Sequence, residues 1–160
     1  MNPTTARCIA RVAHRGQTYN AGDYFEDHIC QVALRVSEDP AAGDDHLVIA
    51  YLHDVLEDTG LSLALLVREG LTLQQQLAMF AITRYPGEFY ARYIERTLIN
   101  PIAALVKYHD LCANIDAAPP LEKLHRYLKA RTVVERRLKR THHGKPKKVP
   151  AAPAPQPPGS

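Results

Sequence analysis

Apolar residues recur every three or four positions along most of the chain, which is the period of an amphipathic helix. Such faces are predicted over residues 4–14 and 24–37, and no segment keeps the period of two that a strand would show. Capping residues and Pro or Gly breaks divide the remainder into short helices. The expected caps are Thr4 or Thr5, Asp44 or Asp45, Ser62, Thr72, and Asn100 ahead of Pro101. The pattern therefore predicts an all-α bundle of about seven or eight helices.

The apolar run 47–52 is followed by four ionisable residues, His53, Asp54, Glu57 and Asp58. If one helix continues through them, positions three and four apart share a face, so these side chains crowd the end of a buried helix. Carboxylates are rarely buried unless they are paired or bind a metal, and the negative end of the helix dipole repels them. The stretch indicates either a functional site or a helix with a solvated acidic end.

A second predicted helix places Lys107, Asp110 and Asn114 on one face. A buried ion pair between Lys107 and Asp110 would account for two of these residues without any metal. The alternative is that Asp110 completes a metal site together with His53 and Asp54. The sequence leaves both interpretations open.

His28 begins the apolar face of the helix predicted over residues 24–37 and is the natural fourth ligand of such a site. Two imidazoles and two carboxylates suit Mn²⁺, Fe or Zn²⁺ better than an ion that prefers thiolates. An ion held in this way could activate water and polarise a phosphoryl oxygen. Glu57 could orient or deprotonate that water, with Asp58 assisting. The side chains that could meet substrate phosphate or ribose are Arg15, Lys107 and Asn114.

Together these segments resemble the HD-domain metal-dependent phosphohydrolases, and more closely the hydrolase domain of RelA/SpoT-type proteins and their small single-domain relatives. The matching pieces are AHRGQ (13–17), YFEDHICQVA (24–33), AYLHDVLEDTG (50–60) and VKYHDLCANID (106–116). Between them, TRYPGEFYARYIERTLINP (83–101) is similar to the connecting stretch of the small members. The resemblance covers roughly residues 6–135.

The resemblance implies an HD-domain helical bundle that holds one divalent ion, usually Mn²⁺. Glu57 and Asp58 match the catalytic acidic pair of the family, and Asn114 and Tyr127 match residues that contact the nucleotide. The ligands that the motif match implies are His28, His53, Asp54 and Asp110. In relatives the reaction removes the 3′-pyrophosphate from guanosine tetra- or pentaphosphate, and some small relatives instead remove a phosphate from NADPH. The alternative from another class is a module that binds metal or nucleotide without turnover.

Two features depart from the family pattern. Alarmone hydrolases carry a basic pair where residues 18–21 here read TYNA, with no cation. The second departure is His109 directly before Asp110, which makes another His-Asp dipeptide. Neighbours on a helix point about 100° apart, so His109 is predicted to lie outside the ligand set. The cations that remain for binding phosphate are Arg15, Arg84, Arg92 and Arg96.

The charge is divided unevenly, because residues 1–120 hold nine Lys and Arg against fifteen Asp and Glu, while residues 121–160 hold eleven against two. We predict an HD-type domain over residues 1–140 and a disordered basic, Pro/Ala-rich tail over residues 141–160. The tail could touch nucleic acid non-specifically, but the expected partner is a small nucleotide. An odd number of cysteines, no signal-peptide pattern and no apolar run of ~20 residues predict a cytoplasmic protein without a membrane span. The oligomeric state is left open.

Overall fold

A computed structural model of the protein describes residues 1–143. The helices are α1 (Pro3–Ala13), α2 (Cys30–Ser37), α3 (Asp44–Leu52), α4 (Val55–Asp58), α5 (Leu63–Arg68), α6 (Leu73–Ile82), α7 (Tyr90–Thr97), α8 (Pro101–Asp116) and α9 (Leu121–His143). Between α1 and α2, the two-residue strands β1 (Thr18–Tyr19) and β2 (Gly22–Asp23) pair antiparallel, and a π-helical turn (Phe25–Ile29) leads into α2. The described part of the chain confirms the all-α class, with eight helices of six or more residues and the single turn of α4.

The ends of the helices follow from local capping chemistry. The predicted caps that the structure confirms are Ser62, Thr72 and Asn100. The caps predicted at residues 4–5 and 44–45 are wrong. Asn2 accepts the capping hydrogen bond of α1, because Pro3 is suited to the first helical position and starts the helix earlier. Gly43 precedes α3, which leaves both aspartates in the first turn, where the helix dipole favours acidic side chains.

Helix α8 is the centre of the bundle, because it packs against α2, α3, α6 and α9. The main apolar core lies among α1, α2, α3, α6 and α8, and includes Ile29, Leu52, Met79 and Val106. A smaller core joins α7, α8 and α9 around Leu111. Because α3 and α8 are both buried, polar residues at their inner faces are forced towards one another.

The single helix considered for the apolar run and the four ionisable residues after it is interrupted. Helix α3 ends at Leu52 and α4 begins at Val55, with His53 and Asp54 forming the turn between them. At this junction the Ala50 carbonyl accepts a hydrogen bond from Nδ1 of the buried His53 at 2.8 Å. The two residues of the His-Asp dipeptide therefore lie at a break in the helix rather than within it.

Helix α9 continues three residues beyond the predicted domain end at residue 140, and the rest of the predicted disordered tail, residues 144–160, lies outside the described residues. The three cysteines carry no disulfide. Within residues 1–143, no helix combines the length and the apolar character that crossing a bilayer requires.

Candidate metal centre

Three atoms of the kind that bind metal ions converge where the π-helical turn meets the junction between α3 and α4. Nε2 of His28 lies 3.3 Å from Nε2 of His53, and Oδ2 of Asp54 lies 3.3 and 3.1 Å from these two nitrogens. Metal–ligand bonds of about 2.0–2.2 Å place neighbouring ligand atoms about 3 Å apart. The three side chains therefore have the spacing of ligands to one ion, and this cluster could hold a metal ion.

Asp110 approaches the same cluster from α8. Its Oδ1 lies 3.4 Å from Nε2 of His28 and 3.7 Å from Nε2 of His53, while its Oδ2 lies 2.7 Å from Nζ of Lys107. The Nδ2 of Asn114 donates to Oδ1 at 2.6 Å. The two interpretations of this segment are therefore compatible, because one carboxylate oxygen faces the histidines and the other forms the ion pair.

The orientation of His53 is set by the fold. Because a carbonyl only accepts, its Nδ1 must donate to Ala50, and this leaves Nε2 directed at Asp54 and His28. The buried Nδ1 of His28 has no hydrogen-bond partner among the described residues. The imidazole of His28 is instead held by ring packing, with Tyr19 stacked on it at a centroid distance of 4.9 Å.

The electrostatics of the cluster favour positive charge between the carboxylates. Burial alone would lower the pKa values of His28 and His53, but Asp54 and Asp110 outweigh it, so both are raised. Burial would raise the pKa values of the two carboxyl groups, but His53, His28 and Lys107 hold them well below the usual range. A cation placed here would meet two ionised carboxylates that are already preorganised.

Replacing Lys107 with methionine should destabilise the protein by about 3 kcal/mol, because it leaves the carboxylate of Asp110 buried without its closest cation. Only 12% of the Lys107 side chain and 4% of the Asp110 side chain are exposed. Chemical denaturation measures the loss, and Lys123→Met, on the exposed side of α9, is the matched control. A midpoint shift no larger than that of the control would contradict a structural role for the pair.

The acidic pair on α4 faces the same region. Burial raises the pKa of Glu57 from its usual 4.5 to about 7, although the backbone N–H of Arg84 donates to Oε1 at 2.7 Å. Burial and the charge of Asp54 raise the pKa of Asp58. A carboxyl group that titrates near neutrality can both accept and return a proton, which general acid–base chemistry requires.

Tyr24 belongs to the site and was missed by sequence reasoning. Its hydroxyl donates to Oδ2 of Asp54 at 2.6 Å and lies 3.2 Å from Oδ2 of Asp58. Burial and the nearby charge of Asp54 raise its pKa, so the hydroxyl stays protonated. The available signal was its position four residues before His28, which puts both on one side of a helix.

The AHRGQ motif supports the site from behind. His14 is fully buried and stacks on Tyr24 with ring centroids 5.0 Å apart, and its Nδ1 lies 2.7 Å from Oε1 of Gln17. Gln17 in turn donates from Nε2 to the backbone carbonyl of Asp58 at 2.7 Å. The motif therefore fixes Tyr24 and the end of α4 rather than contacting the cavity itself.

A polar cavity of about 200 Å³ lies in front of the cluster. The predicted site residues that line it are His28, Asp54, Glu57, Asp58, Lys107, Asp110, Asn114 and Tyr127. The other lining residues are Tyr24, Arg84, Tyr90, Tyr93 and Arg126. His53 is buried at 1% exposure and reaches the cluster from the core side. The structure thus brings together nine of the ten predicted residues.

Arg15 is the exception, because it does not line this cavity. It is exposed and lines a separate cavity with Arg11 and Glu26, because the chain turns away after α1. Arg92 is exposed on α7 and does not line the cavity. Arg96 is committed elsewhere, since Glu88 accepts from its Nη2 at 2.8 Å. His109 lies outside the ligand cluster, as predicted, with Nε2 at 2.9 Å from Asp39.

Comparison with known proteins adds no identity to this geometry. No protein-family model matches the chain, and no curated protein matches it either. The functional conclusion therefore rests on the residues of the site.

Proposed function

We propose that the protein is a metal-dependent phosphohydrolase of the HD-domain type that acts on a phosphorylated nucleotide. The observation that carries this proposal is the convergence of His28, His53 and Asp54, with Asp110 beside them, at one side of a polar cavity. The same cavity contains Glu57, a carboxyl group whose pKa of about 7 suits proton transfer.

The donor set fits a divalent ion of the borderline or hard kind. Two imidazole nitrogens and two carboxylates match the preferences of Mn²⁺, Fe or Zn²⁺, and we propose Mn²⁺ as the ion used. When bound, such an ion supplies a Lewis acid that lowers the pKa of water and polarises a phosphoryl oxygen. The ligands would be His28, His53, Asp54 and Asp110.

The remaining residues of the cavity have roles that follow from their positions. Glu57 would accept the proton of the attacking water, and Asp58 would assist. Tyr24 holds Oδ2 of Asp54 through its hydroxyl, so it is a positioning residue. Lys107 holds Asp110, and we assign it this structural role in preference to substrate contact. Asn114 and Tyr127 line the cavity and would contact the nucleotide.

The proposed substrate is guanosine tetra- or pentaphosphate, cleaved at its 3′-pyrophosphate, and NADPH or another nucleotide is the alternative. The purified protein with Mn²⁺ should release pyrophosphate from guanosine tetraphosphate, and the Asp54→Ala protein should not. Pyrophosphate and phosphate release is measured across guanosine tetraphosphate, NADPH and ordinary nucleotides.

Each outcome of this panel is informative. Turnover of NADPH or another nucleotide alone would replace guanosine tetraphosphate as the proposed substrate and would retain the proposed hydrolase activity. Absence of turnover on every compound, with Mn²⁺ still bound, would overturn the hydrolase and favour a module that only binds metal or nucleotide.

A further inference from the structure

The cavity in front of the metal cluster is electrostatically two-sided. Its carboxylates come from α4, α8 and the junction before α4, whereas two arginines come from other elements. Arg84 lies in the loop after α6, and Arg126 lies on α9. The guanidinium carbons of Arg84 and Arg126 are 5.8 and 4.9 Å from the centroid of the Tyr90 ring. Tyr90 thus brings the two cations together, and we call Arg84 and Arg126 the arginine pair.

The arginine pair is available to an anion. Arg84 donates from Nε and Nη2 to the backbone carbonyl of Glu88, at 3.2 and 2.9 Å, and forms no ion pair within residues 1–140. Arg126 is exposed and likewise has no carboxylate partner in that part of the chain. Lys107, the remaining cation of the cavity, is neutralised by Asp110. The positive charge that faces the cavity without an acidic partner therefore comes from the arginine pair.

The β1–β2 hairpin explains why this charge must come from elsewhere. Residues 18–21 contain no cation, and the ring of Tyr19 stacks on His28 while its hydroxyl donates to Oδ1 of Asn114 at 3.2 Å. Burial raises the pKa of Tyr19 to about 12, so this hydroxyl stays neutral. The hairpin therefore offers packing to the metal ligand and no charge to a phosphate.

We infer that the arginine pair binds a second phosphate group of the substrate, separate from the group at the metal end. The inference rests on the proposed function and narrows its substrate class to nucleotides that are phosphorylated at two positions. A guanidinium donates two parallel hydrogen bonds to phosphate oxygens, and its planar face remains free to lie against an aromatic ring. Tyr90 supplies that ring between the two arginines.

The test is a binding measurement that does not require turnover. Isothermal titration calorimetry compares guanosine 3′,5′-bisphosphate with guanosine 3′-monophosphate, in Mn²⁺, on a Glu57→Gln background that should not consume the ligands. Arg84→Gln and Arg126→Gln should each weaken binding of the bisphosphate about tenfold or more and change binding of the monophosphate by less than about twofold. Arg92→Gln, an exposed arginine on α7 outside the cavity, is the matched control and should change neither.

Three results would overturn the arginine pair as a phosphate site. The first is an equal loss of affinity for both ligands in the arginine variants. The second is a loss of affinity for the bisphosphate no greater than that of Arg92→Gln. The third is a parent protein that does not bind the bisphosphate more tightly than the monophosphate. The proposed function fails separately. If the protein binds the bisphosphate through the arginine pair but hydrolyses nothing, only the proposed hydrolase activity is wrong. If it turns over substrate and both arginine variants keep the affinity of the parent, only the role of the arginine pair is wrong.

Discussion

Replacing Asp54 with alanine should weaken Mn²⁺ binding severely and abolish the proposed phosphohydrolase activity with it. Oδ2 of Asp54 is the atom on which the cluster converges, because it lies within 3.3 Å of both histidine nitrogens and accepts from Tyr24 at 2.6 Å. Changing even an outer partner of a metal ligand costs 10–100-fold in affinity, so removing a ligand should weaken Mn²⁺ by about 100-fold or more. Mn²⁺ affinity is measured by electron paramagnetic resonance, and the rate by pyrophosphate release.

Asp116→Ala is the matched control, since it removes an aspartate at the end of α8 whose carboxylate is exposed and paired with Arg35. The control should keep both metal and activity. Asp54→Asn serves as a second variant of similar size if the alanine protein folds poorly, which circular dichroism would reveal. Undiminished Mn²⁺ affinity in a folded Asp54 variant would exclude this cluster as the metal centre.

Helical spacing predicted correctly the contacts between site residues that are close to one another in the sequence. Lys107, Asp110 and Asn114 meet in the structure because positions three and four apart share a face of α8, as predicted. The conflict between an apolar run and the acids that follow it also pointed to the stretch that supplies His53 and Asp54 to the cluster. Spacing did not predict the break at His53 and Asp54, because the hydrogen bond to Ala50 that accompanies it forms through a side chain.

Residues that join the cavity from distant elements could not be predicted in this way. Arg126 reaches it because α9 packs against α8, and a basic helix in sequence is compatible with an entirely solvated face. The opposite error concerns Arg15, which belongs to a motif near the site and yet points to another cavity. Sequence proximity to a motif does not define which side of a turn a side chain occupies; packing does.

Under the proposed function, tertiary geometry rather than motif would likewise decide the substrate. The family-like motifs supply the candidate metal cluster and the acidic pair, and in the proposed mechanism these would act on any phosphoryl group that reaches them. Under the proposed function, selection among nucleotides would depend on the positions of the cations around Tyr90 and on the size of the cavity. The absence of a basic pair at residues 18–21 therefore leaves the proposed chemistry intact, and the arginine pair is the group proposed to bind the second phosphate.

Replacing Glu57 with glutamine should retain Mn²⁺ but lower the rate by about 10²–10⁴-fold, the range that a positioned general base contributes. In the proposed mechanism the carboxylate form of Glu57 is the base, and burial raises the pKa of this group to about 7. Activity of the parent protein should therefore rise about tenfold per pH unit below pH 7 and level off above it. In Glu57→Gln this rise should disappear, and the pH–rate profile measures it. Glu69→Gln, an exposed glutamate beside α5, is the control.

The pH dependence of folding stability gives an independent check on the pKa of Glu57, because stability should fall with pH where the rate should rise. Because the pKa of Glu57 is higher in the folded protein than in the unfolded chain, its stabilising contribution is complete below about pH 4.5 and is lost as the pH rises through about 7. At pH 8 the ionised carboxylate opposes folding, so metal-free Glu57→Gln should unfold at a higher denaturant concentration than the parent, and the difference should vanish near pH 4.

Loss of the ion in Glu57→Gln would instead make Glu57 a metal ligand. An unchanged rate with the ion retained would remove it from the reaction.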